Sequence, residues 1–356
     1  MTFDKLERFF MKTVAFHTLG CKVNTYETEA MQQLMESAGY RCVEFTERAD
    51  VYIINTCSVT NIADRKSRQM LHRARKMNED AIVVAAGCYV ESAKNKIDED
   101  LSIDIIVGNN NKNDIVNIIN EYLQDKIKNK FIIDINKETE YEEFNIRKIN
   151  DHTRAFIKVQ DGCNQFCSYC IIPFTRGRVR SRKMENIIDE VKSLSASGYK
   201  EIVLTGIHLS SYGVDFLDES YNKRMEKLTQ TEESDEEFVT KNELLCLIEN
   251  IANIEGIERV RIGSLEPRII QENFIKSLSK IDKFCPHFHL SLQSGCDKTL
   301  KSMNRKYTAD EFYEGVKLIR KYFASPAITT DIIVGFPGET KKDFEESKTF
   351  VEKVKF

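Results

Sequence analysis

Three cysteines in one short segment are the residues of this chain whose types and spacing most clearly suggest chemistry. Cys163, Cys167 and Cys170 are separated by three and by two residues, so one tight loop can turn all three sulfurs toward a single centre. Three thiolates can hold three irons of a cubic iron–sulfur cluster and leave the fourth iron open. The alternative is a structural zinc site that awaits a fourth ligand. Zinc motifs usually contain separated Cys-x2-Cys pairs and the sequence has no second pair, so the spacing favours the cluster.

A second set of three cysteines is spread over the N-terminal part of the chain. Cys21, Cys57 and Cys88 each end a short, near-continuous apolar run, and a helix-period stretch follows each run. This alternation predicts a parallel α/β sheet, in which ligands bind beyond the carboxyl ends of the strands. The three thiols should therefore meet in one site that also suits a cluster with an open iron. Alternatively, each is an ordinary buried cysteine, which is a common environment for a free thiol.

The elements that must position these cysteines divide the chain into two domains. An N-terminal domain (11–125) and a second domain (154–356) are joined by a charged linker (126–153) that holds one predicted strand (131–134). The other predicted strands of the first domain are 12–20, 51–56, 81–87 and 103–108, and its helices are 24–38, 61–77, a short one from Glu91, and 113–123. The helix 61–77 has a basic face that suits phosphate contacts or is simply solvated.

The second domain repeats the strand–helix unit five times, which predicts a partial parallel (β/α) barrel. Its predicted strands are 155–160, 200–205, 258–263, 287–292 and 327–334, and its helices are 184–197, 241–253, 269–279, 308–323 and 341–355. Polar residues at strand ends line the mouth of such barrels. The predicted cofactor-binding residues are Gly206 (beside His208), Ser264, Glu266, Gln293, Asp331 and Gly335. Turn geometry alone also explains the glycines.

Four arginines follow the loop of Cys163, Cys167 and Cys170. Arg176, Arg178, Arg180 and Arg182 alternate with other residues, so an extended chain would present them on one side. Guanidinium groups suit phosphate oxygens or a substrate carboxylate, which makes these arginines the predicted substrate-binding residues. The alternative is a solvated loop.

Composition narrows the function classes. The chain of 356 residues is 41% hydrophobic and 30% charged, with a net charge of -4, so it lacks the overall basic charge of a nucleic-acid binder. The N-terminus has no signal-peptide pattern, and Met11 is an alternative start. No apolar run reaches the length of a membrane span. Ten cysteines without a secretory signal predict a cytoplasmic protein with metal or redox chemistry. Residues 214–240 contain nine acidic and three basic residues and read as a disordered insertion.

The arrangement of both cysteine triplets in the sequence resembles that of one protein family. A cysteine triplet at strand ends of an N-terminal α/β domain, followed by Cys-x3-Cys-x2-Cys opening a barrel, is similar to the methylthiotransferases of the radical S-adenosylmethionine superfamily. Further matches are 55–60, 86–88, 161–173 and 293–297. The segment 18–29 resembles the branch that acts on threonylcarbamoyladenosine in tRNA. The branch for isopentenyladenosine has a glutamine–methionine pair, and the ribosomal-protein branch a proline–lysine pair, at the position of Lys22-Val23.

The resemblance implies a division of labour between two 4Fe-4S clusters. The cluster on Cys163, Cys167 and Cys170 would bind S-adenosylmethionine and cleave it to a 5′-deoxyadenosyl radical, which takes hydrogen from the adenine C2 carbon. The cluster on Cys21, Cys57 and Cys88 would supply the sulfur, and a second S-adenosylmethionine the methyl group. The clusters would carry the chemistry, so no catalytic side chain is predicted. Cys42, Cys246, Cys285 and Cys296 match no ligand position and are expected to be structural.

The same resemblance implies partners and one departure from the family. The expected partners are tRNA and an electron donor such as flavodoxin or ferredoxin, with no membrane, and the protein is expected to be a monomer. The family carries a sixth barrel strand and a C-terminal RNA-binding β-barrel of TRAM type, and this sequence stops before both. We therefore expect a C-terminally truncated form that binds tRNA weakly. Rival interpretations are a methylthiotransferase for isopentenyladenosine or a ribosomal protein, and a non-catalytic metal-bearing RNA-binding module.

Overall fold

The computed structural model describes residues 12–93, 97–125, 129–144, 146, 154–216 and 242–356. It divides into two compact units. The first comprises 1–150 together with 171–178, and the second comprises 151–170 together with 179–356. The segment 171–178 follows the loop of Cys163, Cys167 and Cys170 in sequence, yet it packs with the N-terminal unit, which the sequence-based domain boundaries did not anticipate. Of the insertion predicted at 214–240, residues 214–216 form a 3-10 helical turn, whereas 217–240, the alternative start at Met11 and much of the linker lie outside the described residues.

The first unit is built on a six-stranded sheet in the order β2-β1-β3-β4-β5-β6, and all of its pairings are parallel. Its elements are β1 (Thr13–Thr18), α1 (Lys22–Ser37), β2 (Arg41–Val43), β3 (Val51–Thr56), α2 (Asn61–Met77), β4 (Ile82–Gly87), α3 (Cys88–Ser92), β5 (Ile105–Val107), α4 (Ile115–Asp125) and β6 (Asn129–Phe131).

Helices cover both faces of this sheet, because alternate strand residues enter two separate cores. Val51 and Ile53 pack with Met31 and Met35 of α1 in one core. Tyr52 and Ile54 pack in the other core, which also contains Leu71 and Ala74 of α2. Every residue of β3 and β4 is buried. The near-continuous apolar runs of the sequence are thus explained by burial on both sides.

The second unit continues the parallel pattern. Its elements are β7 (Ala155–Asp161), α5 (Ile172–Thr175), which belongs to the first unit, β8 (Arg180–Ser181), α6 (Met184–Ala196), β9 (Glu201–Gly206), α7 (Glu243–Ala252), β10 (Arg259–Ile262), β11 (Ser264–Leu265), α8 (Glu272–Leu278), β12 (His287–Leu290), α9 (Asp297–Ser302), α10 (Ala309–Tyr322), β13 (Ala327–Thr329) and α11 (Lys341–Val354). Strands β10, β9 and β7 form one parallel sheet and β11, β12 and β13 another. This is the α/β class that the alternation of strands and helices predicts.

Several elements differ from the sequence-based expectation. The predicted third barrel strand (258–263) corresponds to β10, which pairs with β9, and an unpredicted short strand, β11, follows Gly263 and pairs with β12. The short edge strand β2, the antiparallel strand β8 and the helix α9 were not predicted. The third helix of the first unit begins at Cys88 rather than near Glu91. These are short elements, whose ends depend on tertiary pairing more than on local pattern. In the described part of the chain, the helices are too short or too polar to cross a membrane.

Candidate metal centres

The loop that carries Cys163, Cys167 and Cys170 directly follows β7 and is fastened by one distant segment. The Nδ2 of Asn304 donates to the carbonyl of Phe166 at 2.9 Å, and the backbone N–H of Ser168 donates to the carbonyl of Met303 at 3.1 Å. Phe166 has a φ of 48°, a left-handed conformation that is uncommon outside glycine. The loop backbone is strained at Phe166 and anchored at Phe166 and Ser168, which restricts the positions of the three cysteines.

The thiols of this loop share one electrostatic environment. Burial, with a smaller contribution from the charges of Cys170 and Cys167, raises the pKa of Cys163 to about 11, while the N–H of Gln165 and the charge of Arg305 oppose the increase. The guanidinium of Arg305 donates from Nη1 to the Sγ of Cys167 at 3.3 Å, and the backbone N–H of Gln165 donates to the Sγ of Cys163 at 3.5 Å. Such hydrogen bonds stabilise thiolates, the form in which cysteine binds a metal.

Sequence reasoning missed Arg305 and Asn304. They lie between α9 and α10, and each is 138 residues after the loop residue that it contacts, Cys167 for Arg305 and Phe166 for Asn304. A polar triplet of asparagine, arginine and lysine between two helices was the available signal, but a solvated helix connection has the same composition.

The residues predicted at the mouth of the barrel lie at strand ends of the second unit. Gly206 ends β9, and Ser264 begins β11. Gln293 follows β12 with a φ of 67°, and its backbone pairs with Asp331 and Ile333. Gly335 is exposed, with a φ of 71°. These positions therefore lie beside strands of both sheets of the unit, β9 in one and β11 to β13 in the other.

Two other groups near these strands are already engaged. Glu266 is buried and accepts from the Nε of Arg268 at 2.8 Å. His208 donates its backbone N–H to Oε1 of Gln160 at 2.7 Å, and its Nδ1 lies 2.7 Å from the Oγ of Ser211. Burial lowers the pKa of His208 to about 4, so the imidazole is neutral at physiological pH. Its Nε2 is buried and has no hydrogen-bond partner among the described residues.

The second set of thiols is assembled by the sheet of the first unit. Strands β1, β3 and β4 are adjacent, with Thr18 opposite Asn55 and Thr56 opposite Gly87, so Cys21, Cys57 and Cys88 follow at one edge. Cys57 and Cys88 are buried, and Cys21 is exposed. Burial raises the pKa of Cys57, and the charges of Cys88 and Cys21 add to the increase while Arg176 opposes it. The pKa of Cys57 thus responds to both other cysteines, as expected for thiols at neighbouring strand ends.

Two glycines allow the second set of loops to approach each other. Gly20 has a φ of +103°, and a Cβ built there would lie 2.9 Å from both the Cβ and the Sγ of Cys57. Gly87 has a φ of +98°, and a Cβ there would lie 2.7 Å from the carbonyl oxygen of Thr56. Any other residue would push the loops apart, so the backbone at these positions is shaped for the convergence of the cysteines.

Both donor sets consist of cysteine thiols, the ligands that 4Fe-4S clusters take. In the described part of the chain, no three or more His, Cys, Asp or Glu side chains are arranged to hold one ion. On one zinc ion, with Zn–S bonds of about 2.3 Å, two sulfurs would lie about 3.8 Å apart. In a cubic cluster each thiolate binds a different iron, so the sulfurs stand further apart. Three thiols in each set are the number that holds three irons of a cubic cluster and leaves the fourth iron open.

The predicted row of four arginines does not form. In the first unit, Arg176 is fully buried and donates to Oε1 of Glu27 at 2.8 Å. In the second unit, Arg180 and Arg182 are buried and face Asp161 and Glu190. Arg178 is exposed. The expectation of one common face was therefore wrong, because the helical turn α5 and the antiparallel strand β8 replace the extended chain that it assumed.

Comparison with known proteins places these sites in a family. Residues 13–108 match the uncharacterized protein family UPF0004, and 157–351 match the radical SAM superfamily. The chain is 41% identical to the threonylcarbamoyladenosine tRNA methylthiotransferase MtaB of Bacillus subtilis, over 97% of this chain and 72% of that protein. It is 39% identical to MtaB of Aquifex aeolicus, over 96% of this chain and 77% of that protein. The chain belongs to the radical S-adenosylmethionine methylthiotransferase family.

Solved structures agree in fold. The radical S-adenosylmethionine methyltransferase TsrM from Kitasatospora setae superimposes with a TM-score of 0.61 at 14% identity, covering 97% of this chain and 73% of that chain. The cobalamin-dependent radical enzyme OxsB gives a TM-score of 0.59 at 11% identity, covering 98% of this chain and 52% of that chain. Membership in the radical S-adenosylmethionine superfamily implies S-adenosylmethionine and a 4Fe-4S cluster as cofactors of this methylthiotransferase.

The helix α2 gives this methylthiotransferase a basic surface next to the second triplet. The helix begins at Asn61, four residues after Cys57, and the side chain of Thr60 caps its N-terminus. It carries six Lys or Arg residues against one acidic residue, Asp64, whereas the whole chain has a net charge of -4. Its exposed cations are Arg65, Lys66, Arg68, Arg73 and Lys76. In the ranges that the structure describes, the ion pairs of this helix are those of His72 with Asp100 and of Arg75 with Asp104, so the five exposed cations are not neutralised.

The four remaining cysteines lie away from both triplets in sequence. Cys42, Cys246, Cys285 and Cys296 are free thiols that are buried or half-buried. Burial raises the pKa of Cys42 to about 12, so this thiol stays protonated and behaves as a small apolar side chain. The expectation that these four are structural remains a prediction.

Proposed function

We propose that this chain methylthiolates the C2 carbon of N6-threonylcarbamoyladenosine beside the anticodon of tRNA. The observation that carries the proposal is the presence of both cysteine triplets in a chain that is 41% identical to a threonylcarbamoyladenosine tRNA methylthiotransferase over 97% of its length. The two sites suit the two halves of such a reaction, which are cleavage of S-adenosylmethionine and delivery of sulfur.

The first half of the reaction belongs to the loop of Cys163, Cys167 and Cys170. These thiolates would hold the 4Fe-4S cluster whose open iron binds S-adenosylmethionine. When bound, the pair supplies a radical able to abstract hydrogen from an unactivated carbon. Arg305 holds the Sγ of Cys167, and the buried neutral imidazole of His208 has an Nε2 with no hydrogen-bond partner among the described residues. Gly206, Ser264, Gln293, Asp331 and Gly335 are the proposed lining of the S-adenosylmethionine site, with Glu266 positioned by Arg268.

The second half belongs to Cys21, Cys57 and Cys88, which we propose as ligands of a second 4Fe-4S cluster. Support comes from the convergence of three strand ends and from the close approach at Gly20 and Gly87. Such a cluster would supply the sulfur. The residues of the chain bind and orient the group, and burial of Cys57 and Cys88 limits access of water to it.

The proposed partner is tRNA, and α2 is the proposed contact with its phosphate backbone. The exposed cations of α2 extend from Arg65 to Lys76, about 16 Å along a helix that rises 1.5 Å per residue. Neutralising these charges should weaken tRNA binding and lower its salt dependence, with a slope change of about 0.7–0.9 for each lost phosphate contact. Arg178, which is exposed, is the proposed partner of the threonylcarbamoyl carboxylate. The proposed electron donor is a flavodoxin or ferredoxin, and the proposed compartment is the cytoplasm, where thiols stay reduced.

A second candidate substrate is isopentenyladenosine. The chain is also 38% identical to the tRNA-2-methylthio-N(6)-dimethylallyladenosine synthase of Thermoanaerobacter sp., over 97% of this chain and 70% of that protein. Lys22-Val23 favours the threonylcarbamoyl branch. The two substrates can be distinguished by expressing this chain in a bacterial strain that lacks both methylthio modifications. That strain must still make threonylcarbamoyladenosine and isopentenyladenosine in its tRNA.

Mass spectrometry of tRNA nucleosides from that strain is the measurement. The expected product is 2-methylthio-N6-threonylcarbamoyladenosine, and it should be absent when Cys163, Cys167 and Cys170 are replaced with alanine. Appearance of the methylthio group on isopentenyladenosine in comparable amount would contradict the assignment of substrate. Absence of both products from the expressed chain would contradict the activity.

A further inference from the structure

A chain of buried polar side chains lies behind the second cysteine triplet in the first unit. Its members come from three distant parts of the sequence, and each is at most 1% exposed: Asn24, Glu27, Asn109, Lys112 and Arg176. Two cations and a carboxylate in a protein interior are unusual, because each charge loses its hydration.

Glu27 is the centre of this network. Its carboxylate accepts from Nη1 of Arg176 at 2.8 Å and from Nη2 at 3.1 Å, which is a two-pronged contact. The same carboxylate accepts from the Nζ of Lys112. Glu27 therefore fixes one side chain that follows Cys170 in sequence and one that follows β5.

One arm of the network reaches the loops of Cys21 and Cys57. Arg176 donates from Nη2 to Oδ1 of Asn24 at 2.6 Å. The Nδ2 of Asn24 then donates to two carbonyls, that of Leu19 at 2.6 Å and that of Thr56 at 2.9 Å. Leu19 lies two residues before Cys21, and Thr56 directly precedes Cys57. One amide thus joins the backbones of two ligand loops.

The other arm reaches Cys88. Lys112 donates to Oδ1 of Asn109 at 3.0 Å, which fixes the amide so that its Nδ2 points the other way. That Nδ2 lies 3.6 Å from the Sγ of Cys88 and donates to the carbonyl of Thr175 at 2.8 Å. The backbone N–H of Asn109 is held by Oε1 of Glu91 at 3.0 Å. The network therefore connects all three ligand positions of the triplet.

Stability alone does not account for this arrangement. A buried ion pair typically stabilises a fold no more than apolar residues of the same volume, because desolvation offsets the attraction between the charges. A connected polar network does hold its members in one geometry, since a shifted member would leave a buried group unsatisfied. Positioning is the property that such a network supplies and that an apolar core would not.

We propose that Asn24, Glu27, Asn109, Lys112 and Arg176 are positioning residues for the second cluster, an inference that rests on the proposed function. Asn24 sets the separation of the Cys21 and Cys57 loops, and Asn109 donates a hydrogen bond to the sulfur of Cys88. Outer partners of this kind orient the ligands, and their loss typically weakens metal binding 10–100-fold. Arg176 follows Cys170 by six residues, so one short stretch of chain carries a ligand of the first site and a support of the second.

The test isolates the second site. Replacing Cys163, Cys167 and Cys170 with alanine leaves a background in which a reconstituted cluster resides on the second triplet. Two changes are made in that background. Asn109→Asp keeps an acceptor for Lys112 but removes the donor to Cys88, and Arg176→Gln removes the fork that binds Glu27. Iron and sulfide per chain, the electron paramagnetic resonance spectrum of the reduced cluster and the rate of iron loss to a chelator are measured under anaerobic conditions.

The expected result is iron loss about 10–100-fold faster in both variants than in the background, with an altered spectrum for Asn109→Asp. Arg41→Gln, an exposed change on β2 of the same unit, is the matched control and should lose iron at the background rate. Urea unfolding of the cluster-free chains shows whether each variant folds. If one variant fails to fold, the rate of iron loss from the other variant tests the proposal. Iron loss from the folded variants at the same rate as from the background chain would overturn the proposal. If the background chain binds no iron, the proposed second cluster is wrong. This outcome distinguishes failure of the proposed function from failure of the positioning proposal.

Discussion

The two cysteine triplets are assembled in different ways. Cys163, Cys167 and Cys170 lie within one eight-residue loop, whereas Cys21, Cys57 and Cys88 come from the ends of three strands of a parallel sheet. A loop ligand set needs only local backbone geometry and a few anchors. A distributed set exists only when the sheet is formed in register, so its integrity depends on packing throughout the first unit. The two sites should therefore respond differently to the same kind of perturbation.

The supports of the two sites reflect this difference. The loop is anchored through backbone carbonyls to Met303 and Asn304, and one guanidinium contacts one sulfur. The distributed site relies on close backbone approach at Gly20 and Gly87 and on a buried polar network. Local sites tolerate changes in the core, and distributed sites do not, because a shift of one strand moves one ligand relative to the others.

The largest expected effect separates the functions of the triplets. Alanine at Cys163, Cys167 and Cys170 should abolish formation of 5′-deoxyadenosine, because the cluster that binds S-adenosylmethionine is lost. Alanine at the other three cysteines should leave that formation largely intact and abolish the methylthio product. Both products are measured in one anaerobic assay by mass spectrometry. Methylthio product from the second variant would show that sulfur comes from elsewhere.

A glycine substitution should damage the distributed site alone. Gly87→Ala places a Cβ against the Thr56 carbonyl at a φ of +98°, so we expect a loss of about 3 kcal/mol in the free energy of unfolding and loss of the second cluster. Gly39→Ala is the matched control, with a φ of +89° and nothing within 4 Å, and should cost about 1–2 kcal/mol. Urea unfolding and iron content measure both effects. Equal costs would mean that close approach at Gly87 is unimportant.

A change at Arg305 should affect the loop site alone. Arg305→Gln removes the donor to the Sγ of Cys167, so the first cluster should lose iron about 10–100-fold faster to a chelator. The background for this measurement carries alanine at Cys21, Cys57 and Cys88. Lys301→Gln, an exposed change on α9, is the control. An unchanged rate in Arg305→Gln would show that this guanidinium has another role.

The smallest expected effect is a pH dependence of opposite sign in the two units. Burial raises the pKa of Glu29 in the first unit to about 7, so its contribution to stability is lost as pH rises from about 4.5 to 7. Burial lowers the pKa of His208 in the second unit to about 4, so its contribution is lost as pH falls from about 6.5 to 4. Each change corresponds to about 1–2 kcal/mol after allowance for relaxation.

Glutamine substitutions measure these two contributions in the cluster-free chain. Relative to the parent, Glu29→Gln should gain stability as pH rises from 5 to 8, and His208→Gln should gain stability as pH falls from 7 to 5. The free energy of unfolding by urea is compared at each pH. Curves that run parallel to the parent for both variants would contradict the penalty that burial places on the charged forms of these two groups.

The sequence by itself was enough to predict the parallel α/β class, the two sets of three cysteines and the strand ends at which Cys21, Cys57 and Cys88 lie. Those features depend on spacing and on hydrophobic runs, which are local properties of the chain. The two-sided burial of β3 and β4 follows directly from their unbroken apolar residues. Short elements such as β2, β8 and α9 escaped prediction because a few residues carry too little periodicity to identify a strand or a helix.

Tertiary structure alone decided the roles of the polar residues around the cysteines. Four alternating arginines look equivalent in sequence, yet Arg176 is buried against Glu27, which lies 149 residues earlier, and Arg178 is exposed. Arg305 and Cys167 are likewise 138 residues apart. A charged side chain enters the interior only where the fold provides a partner of opposite charge, and that partner is chosen by the packing of distant segments rather than by any pattern of neighbours.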